Sequence, residues 1–152
     1  MIEVLITMVI LAIGLLGVTG LQLTSLRANQ ISQFRTQATW LAYDLSDRMR
    51  ANMEGVDAGA YDNPAPTAVD TCLTVDGCST DEMAQNDAFE WIAAVQSALP
   101  QGAGTVCIDS TPNDGTPAAP ACDGGGSVYA IKIWWDDDRD GNLDRFEMSL
   151  QP

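Results

Sequence analysis

The hydrophobic pattern changes character twice along the chain. Residues 1–21, MIEVLITMVILAIGLLGVTGL, are apolar on every side of a helix. Glu3 is the only charge there, and Thr7 and Thr19 are the only other polar side chains. As a helix, this stretch spans roughly 31 Å at about 1.5 Å per residue, close to the hydrocarbon thickness of a bilayer. From Gln22 the apolar positions narrow to one stripe: Leu23, Leu26, Phe34, Ala38, Leu41, Leu45 and Met49, mostly at steps of three and four. The pattern predicts one helix over residues 1–54, with Gly55 as its C-terminal stop. Gly14, Gly17 and Gly20 lie inside it, each about 1 kcal/mol less favourable than Ala. They allow two readings: small residues for close helix packing in a membrane, or a segment that locally melts or stretches.

Beyond residue 54 the period changes. Residues 55–70 read as loop, because Pro64 and Pro66 exclude helix. Ser79-Thr80-Asp81-Glu82 is a capping-box pattern opening a helix over about 80–99. That helix turns Met83, Ala88, Trp91, Ile92, Val95 and Leu99 toward a core, with Pro100 after its end. Residues 105–109 read as a short strand and 110–127 as a long Gly/Pro-rich surface loop. Residues 127–135 follow as a strand with Ile131, Ile133 and Trp135 on one face. A last strand alternates Phe146, Met148 and Leu150 with Glu147, Ser149 and Gln151.

Charge divides the chain in the same way. The net charge of −14 falls almost wholly on residues 51–152, which carry 18 acids against Lys132, Arg139 and Arg145. A head this acidic repels phosphate backbones, so direct nucleic-acid binding is not expected. Cys72, Cys78, Cys107 and Cys122 in a small domain beyond a membrane-length helix point to an oxidising compartment and two disulfides. Of three possible pairings, Cys72–Cys78 with Cys107–Cys122 closes two short Gly- or Pro-containing loops. The second, a loop of about 16 residues, is worth about 3 kcal/mol in the chain-entropy model. Zinc is the competing reading, but the spacings are not those of Cys-x2-Cys knuckles and the chain has no His.

The opening helix resembles that of type IV pilins, and more narrowly the minor pilins of the type IV pilus modification protein PilV family. LAYDLSDRMRANMEG (41–55), CSTDEMAQNDAFEWIAAVQSALPQGAG (78–104) and the late Trp-rich strand follow that family too. The resemblance implies an α+β type IV pilin fold: a long N-terminal helix packed on a small antiparallel sheet, with one extra helix. It divides the chain into a transmembrane and polymerisation helix (1–24), its amphipathic continuation (25–54) and a disulfide-stapled acidic head (55–152). It implies a prepilin leader ending in Gly, cut before an N-methylated Phe. Neither occurs in these 152 residues, and Met1 aligns a couple of residues inside the mature family sequence.

Glu3 matches the family's near-N-terminal glutamate, implied to set axial register by pairing with a neighbour's N-terminal amine. A carboxylate in hydrocarbon costs about 2.5–3.5 kcal/mol on insertion scales and is rarely left unpaired. The alternative is a glutamate solvated at headgroup level. The implied function is structural: pilus initiation or tip assembly, supporting adhesion and twitching motility. The implied partners are other minor pilins, the major pilin, a large pilus-tip adhesin, the inner-membrane assembly platform and prepilin peptidase. The subunit would wait in the inner membrane as a single-pass protein with its head in the periplasm, then join the extracellular pilus.

One constellation falls outside that picture. Asp136, Asp138, Asp140, Gly141, Asn142, Asp144 and Glu147 fit the calcium-loop spacing D-x-D-x-D-G-x5-E. Six carboxylates within 12 residues repel one another, and a hard dication relieves that. The flanks read as strands rather than EF-hand helices, with Glu147 on a solvent face. The plain reading is an acidic hairpin turning at Asp140-Gly141. Trp40, Trp91, Trp134 and Trp135 read as core more than as a sugar-binding platform. Catalysis is not expected: there is no His, the cysteines are expected in disulfides, and the acids sit in a solvated turn. Two other functions stay open: a minor pseudopilin of type II secretion, and a membrane-anchored calcium- or ligand-binding module that does not polymerise.

Overall fold

A computed structural model describes residues 2–152. The element that dominates it follows from the first apolar stretch: α1, Ile2–Ala51, runs unbroken through Gly14, Gly17 and Gly20. The chain divides into two units after Gln33.

In the first unit every described residue except Ile31 is exposed, and the other large apolar ones are each more than half so. The threonine hydroxyls are satisfied within the helix. Thr7 Oγ1 donates to Val4 O at 2.9 Å, Thr19 Oγ1 to Leu15 O at 2.8 Å and Thr24 Oγ1 to Gly20 O at 3.1 Å. Such back-bonding satisfies these three hydroxyls within the helix itself.

The second unit is Phe34–Pro152. Here the stripe on α1 is covered: Ala38, Ala42, Leu45 and Met49 are fully buried, with Phe34 and Leu41 packed at the edge. The helix does not reach Gly55. It ends at Ala51, and a separate short helix α2, Met53–Asp57, contains Gly55. Asn52 makes the break, leaving helical geometry at φ −118° and ψ 54°. Its Oδ1 accepts from Gly55 N at 3.3 Å, and its Nδ2 donates to Thr80 O at 2.8 Å. The reversal comes at Gly59, whose φ of +78° is a conformation L side chains rarely adopt.

The capping box predicted at Ser79 forms, with Ser79 N donating to Glu82 Oε2 at 2.9 Å and Glu82 N donating to Ser79 Oγ at 3.3 Å. It opens α3, Thr80–Ala98, whose Ala84, Ala88, Trp91 and Val95 are buried. Trp91 Nε1 donates to Leu41 O on α1 at 2.8 Å. Three strands follow: β1, Ala103–Ile108; β2, Tyr129–Trp135; β3, Asp144–Leu150. They form an antiparallel sheet in the order β1-β2-β3. Gly104 on β1 is needed for close approach, since a Cβ there would stand 2.5 Å from the Trp91 ring.

The sheet is covered on both faces at β2, all of which is buried. Tyr129, Ile131, Ile133 and Trp135 join the core with α1 and α3. Ala130, Lys132 and Trp134 point the other way, where alternation alone predicts solvent. The loop over residues 109–127 shields that face. Lys132, fully buried, holds the loop down: its Nζ lies 2.5 Å from Asp109 Oδ2, 3.0 Å from Asp114 Oδ1 and 2.8 Å from Pro120 O. Burial alone would lower the Lys132 ammonium, but Asp109 and Asp114 outweigh it and hold it above the usual lysine value. Cys107–Cys122 staples the same loop, and Cys72–Cys78 closes the turn before α3.

Candidate functional site

The residues singled out from the sequence lie in three places. Glu3 and Gly14, Gly17 and Gly20 are in the first unit. Glu3 sits in the first turn of α1 and is exposed, where an acidic side chain favours the helix dipole. A Cβ added at Gly14, Gly17 or Gly20 would meet nothing within 4 Å. This part of α1 is long and apolar enough to cross a membrane, and none of its most apolar window is buried. Contiguous exposed apolar surface on this scale marks a membrane or protein contact.

In the second unit, α1 and α3 are tied by a partly buried polar group that periodicity did not reveal. Arg48 donates to Asp44 at 3.0 Å, Asp87 at 3.3 Å and Glu90 at 2.8 Å. Tyr61 Oη donates to the other Asp87 oxygen at 2.6 Å. Burial and then the Asp87 hydrogen bond push the Tyr61 phenol up, while the Arg48 hydrogen bond holds the Glu90 carboxyl down. Apart from Asp44, one helical turn away, these partners are 26 to 42 residues apart in sequence. Trp91, Trp134 and Trp135 are buried, but Trp40 is 75 % exposed. It borders a shallow apolar groove of about 390 Å³ with Thr36, Gln37, Leu41, Asp44 and Ala98.

The acidic turn joins β2 to β3 through residues 136–143, longer than a two-residue hairpin at Asp140-Gly141. Asp136, Asp138 and Asp140 each bring one carboxylate oxygen within 4.8 Å of the others. Gly141, at φ +87°, lets its N–H turn inward to donate to Asp136 Oδ2 at 3.1 Å. The Asn142 side chain is taken by Asp140, at 2.7 Å from Oδ2. Asp144 and Glu147 are not in the trio: Asp144 lies 3.7 Å from the Arg35 guanidinium, and Glu147, exposed on β3, accepts from Arg145 Nε at 3.3 Å.

Residues 20–89 match the Tt1218-like family, described as type IV pilin Tt1218. The match begins after Gly17 and takes in the stripe of α1, the Cys72–Cys78 turn and the first half of α3. No curated protein and no solved structure matches the chain. The long apolar helix, the three-stranded antiparallel sheet and the added helices have the α+β architecture of type IV pilins. Together, this fold and the type IV pilin domain over residues 20–89 support a type IV pilin family for the chain, and with it a structural subunit of a pilus.

Proposed function

We propose that this protein is a PilV-like minor pilin that acts in pilus initiation or at the tip and thereby serves adhesion and twitching motility. The observation that carries the reading is the exposure of α1 as far as Leu21, apolar on every side and, among the described residues, not buried by the chain itself. Burying such a surface is worth roughly 25 cal/mol per Å². Lipid provides that burial before assembly, and the helices of the major pilin and of other minor pilins provide it in a filament. In this scheme residues 1–24 are the polymerisation helix, 25–54 its amphipathic continuation and 55–152 the head.

Orientation follows from the same scheme. The head lies in the periplasm, the oxidising side where both disulfides persist, and is later extracellular. Glu3 pairs with the N-terminal amine of a neighbour, since an unpaired carboxylate among apolar helices is costly. The glycines at 14, 17 and 20 lower helix propensity where the segment must adapt between lipid and filament. The prepilin peptidase, the assembly platform and a tip adhesin are the further partners of this scheme.

Glu3→Ala tests it. The expected result is normal membrane insertion, with the subunit lost from sheared, purified filaments and fewer surface pili. Unchanged pilus number and unchanged incorporation would contradict the assembly role.

A further inference from the structure

We propose that Asp136, Asp138 and Asp140 bind one calcium ion in the turn between β2 and β3. The site belongs to the folded head and stands apart from the filament reading.

A cluster of exposed acids would not establish this, but Asp136 is not exposed. It is fully buried at the end of β2, with its N–H donating to Pro100 O at 2.9 Å. One carboxylate oxygen, Oδ2, accepts from Gln101 Nε2 at 3.0 Å and from Gly141 N at 3.1 Å. The other, Oδ1, is buried and has no hydrogen-bond partner. A buried carboxylate oxygen without a partner is left desolvated with nothing in return. A cation held by the trio satisfies it.

The geometry suits calcium. Calcium–oxygen distances are about 2.3–2.6 Å, so ligands on opposite sides of one ion stand roughly 4.8 Å apart. One oxygen from each of the three aspartates falls within that span. Among the described residues no Lys or Arg forms an ion pair with the trio; Arg35 goes to Asp144 and Arg145 to Glu147. The turn opens to solvent in a cleft of about 130 Å³ lined by Asp137, Asp138, Asp140, Asn142, Leu143 and Asp144, so water can complete the coordination. Glu147 takes no part, and a site without that bidentate ligand binds weakly, with a Kd on the order of 10⁻⁴ M, as in extracellular modules.

The test is calorimetric titration of calcium chloride into the chelator-stripped full chain in nonionic micelles at 150 mM NaCl, with thermal unfolding in parallel. The expected result is one ion per chain and a Tm raised by roughly 5 °C at ten times Kd. Asp138→Asn, at an exposed position, should keep the fold by near-ultraviolet circular dichroism and weaken binding at least tenfold; Glu147→Gln should leave it within twofold. Three results would overturn the site: no heat with no change in Tm, wild-type affinity in Asp138→Asn, or equal affinity for magnesium.

Discussion

Two parts of one helix carry the same kind of side chain and meet opposite fates. Leu11, Leu16 and Leu21 are each about two-thirds or more exposed, whereas Leu45 and Met49, on the same α1, are fully buried. Propensity cannot separate them, since all are good helix formers. The difference lies in the faces between. Around Leu45 the helix alternates its apolar stripe with Asp44, Asp47, Arg48 and Arg50, so one side is dry and the other wet. Around Leu16 there is no wet side. A one-sided helix completes its burial within its own chain; an all-round apolar helix must find cover outside it.

The sharpest way to break this contrast is to make the same truncation in both places. Leu45→Ala should cost the second unit about 2–5 kcal/mol in urea unfolding followed by tryptophan fluorescence in micelles. Leu16→Ala should stay within about 0.5 kcal/mol, because no packed neighbour in the chain is lost. A comparable loss at Leu16 would mean that the first unit is stabilised by the fold after all.

Acid sharpens the comparison with a smaller effect. Ser79, through its backbone N–H and then its hydroxyl, holds the Glu82 carboxyl low, and Arg48 does the same for Glu90. The Lys132 and Thr111 hydrogen bonds hold Asp114 low, and the Ser110 hydroxyl, the Ser110 N–H and the Gly125 N–H bring Asp123 down to about 2. Each folded carboxyl lies below its unfolded value. Its contribution is therefore complete above the unfolded value and fades as pH falls toward 2. Asp137, raised, acts in the opposite sense and costs least when protonated. The second unit should lose near-ultraviolet circular dichroism on acidification, while the first unit, with Glu3 as its one acid, stays helical in micelles. Simultaneous loss of both signals would contradict their independence.

The contrast also marks what local pattern could show. The helix stripe from Phe34 on, the Ser79 capping box, the last two strands and the short disulfide loops rest on neighbours within a few turns or one loop, and the sequence displays them. Asn52 was hidden behind Gly55, because a glycine at a helix end looks like a stop, whereas the partners that hold Asn52 out of the helix, such as Thr80, are far along the chain. Lys132 sits at a polar position of an alternating strand, so its burial depends on a loop that returns through Asp109, Asp114 and Pro120. The Arg48–Asp87–Tyr61 group is non-local in the same way. The acidic turn and the solvent face of Glu147 are legible in the sequence, but only the fold shows that Asp136 is buried and that Glu147 binds Arg145.

The central claim is that the uncovered helix packs against other subunits. A photo-crosslinking amino acid placed at position 16 tests it directly, by irradiating cells, shearing the filaments and identifying the adducts. The account predicts covalent adducts between this helix and the helices of other pilins inside purified filaments. Adducts with lipid alone, and none with protein in any filament fraction, would contradict it.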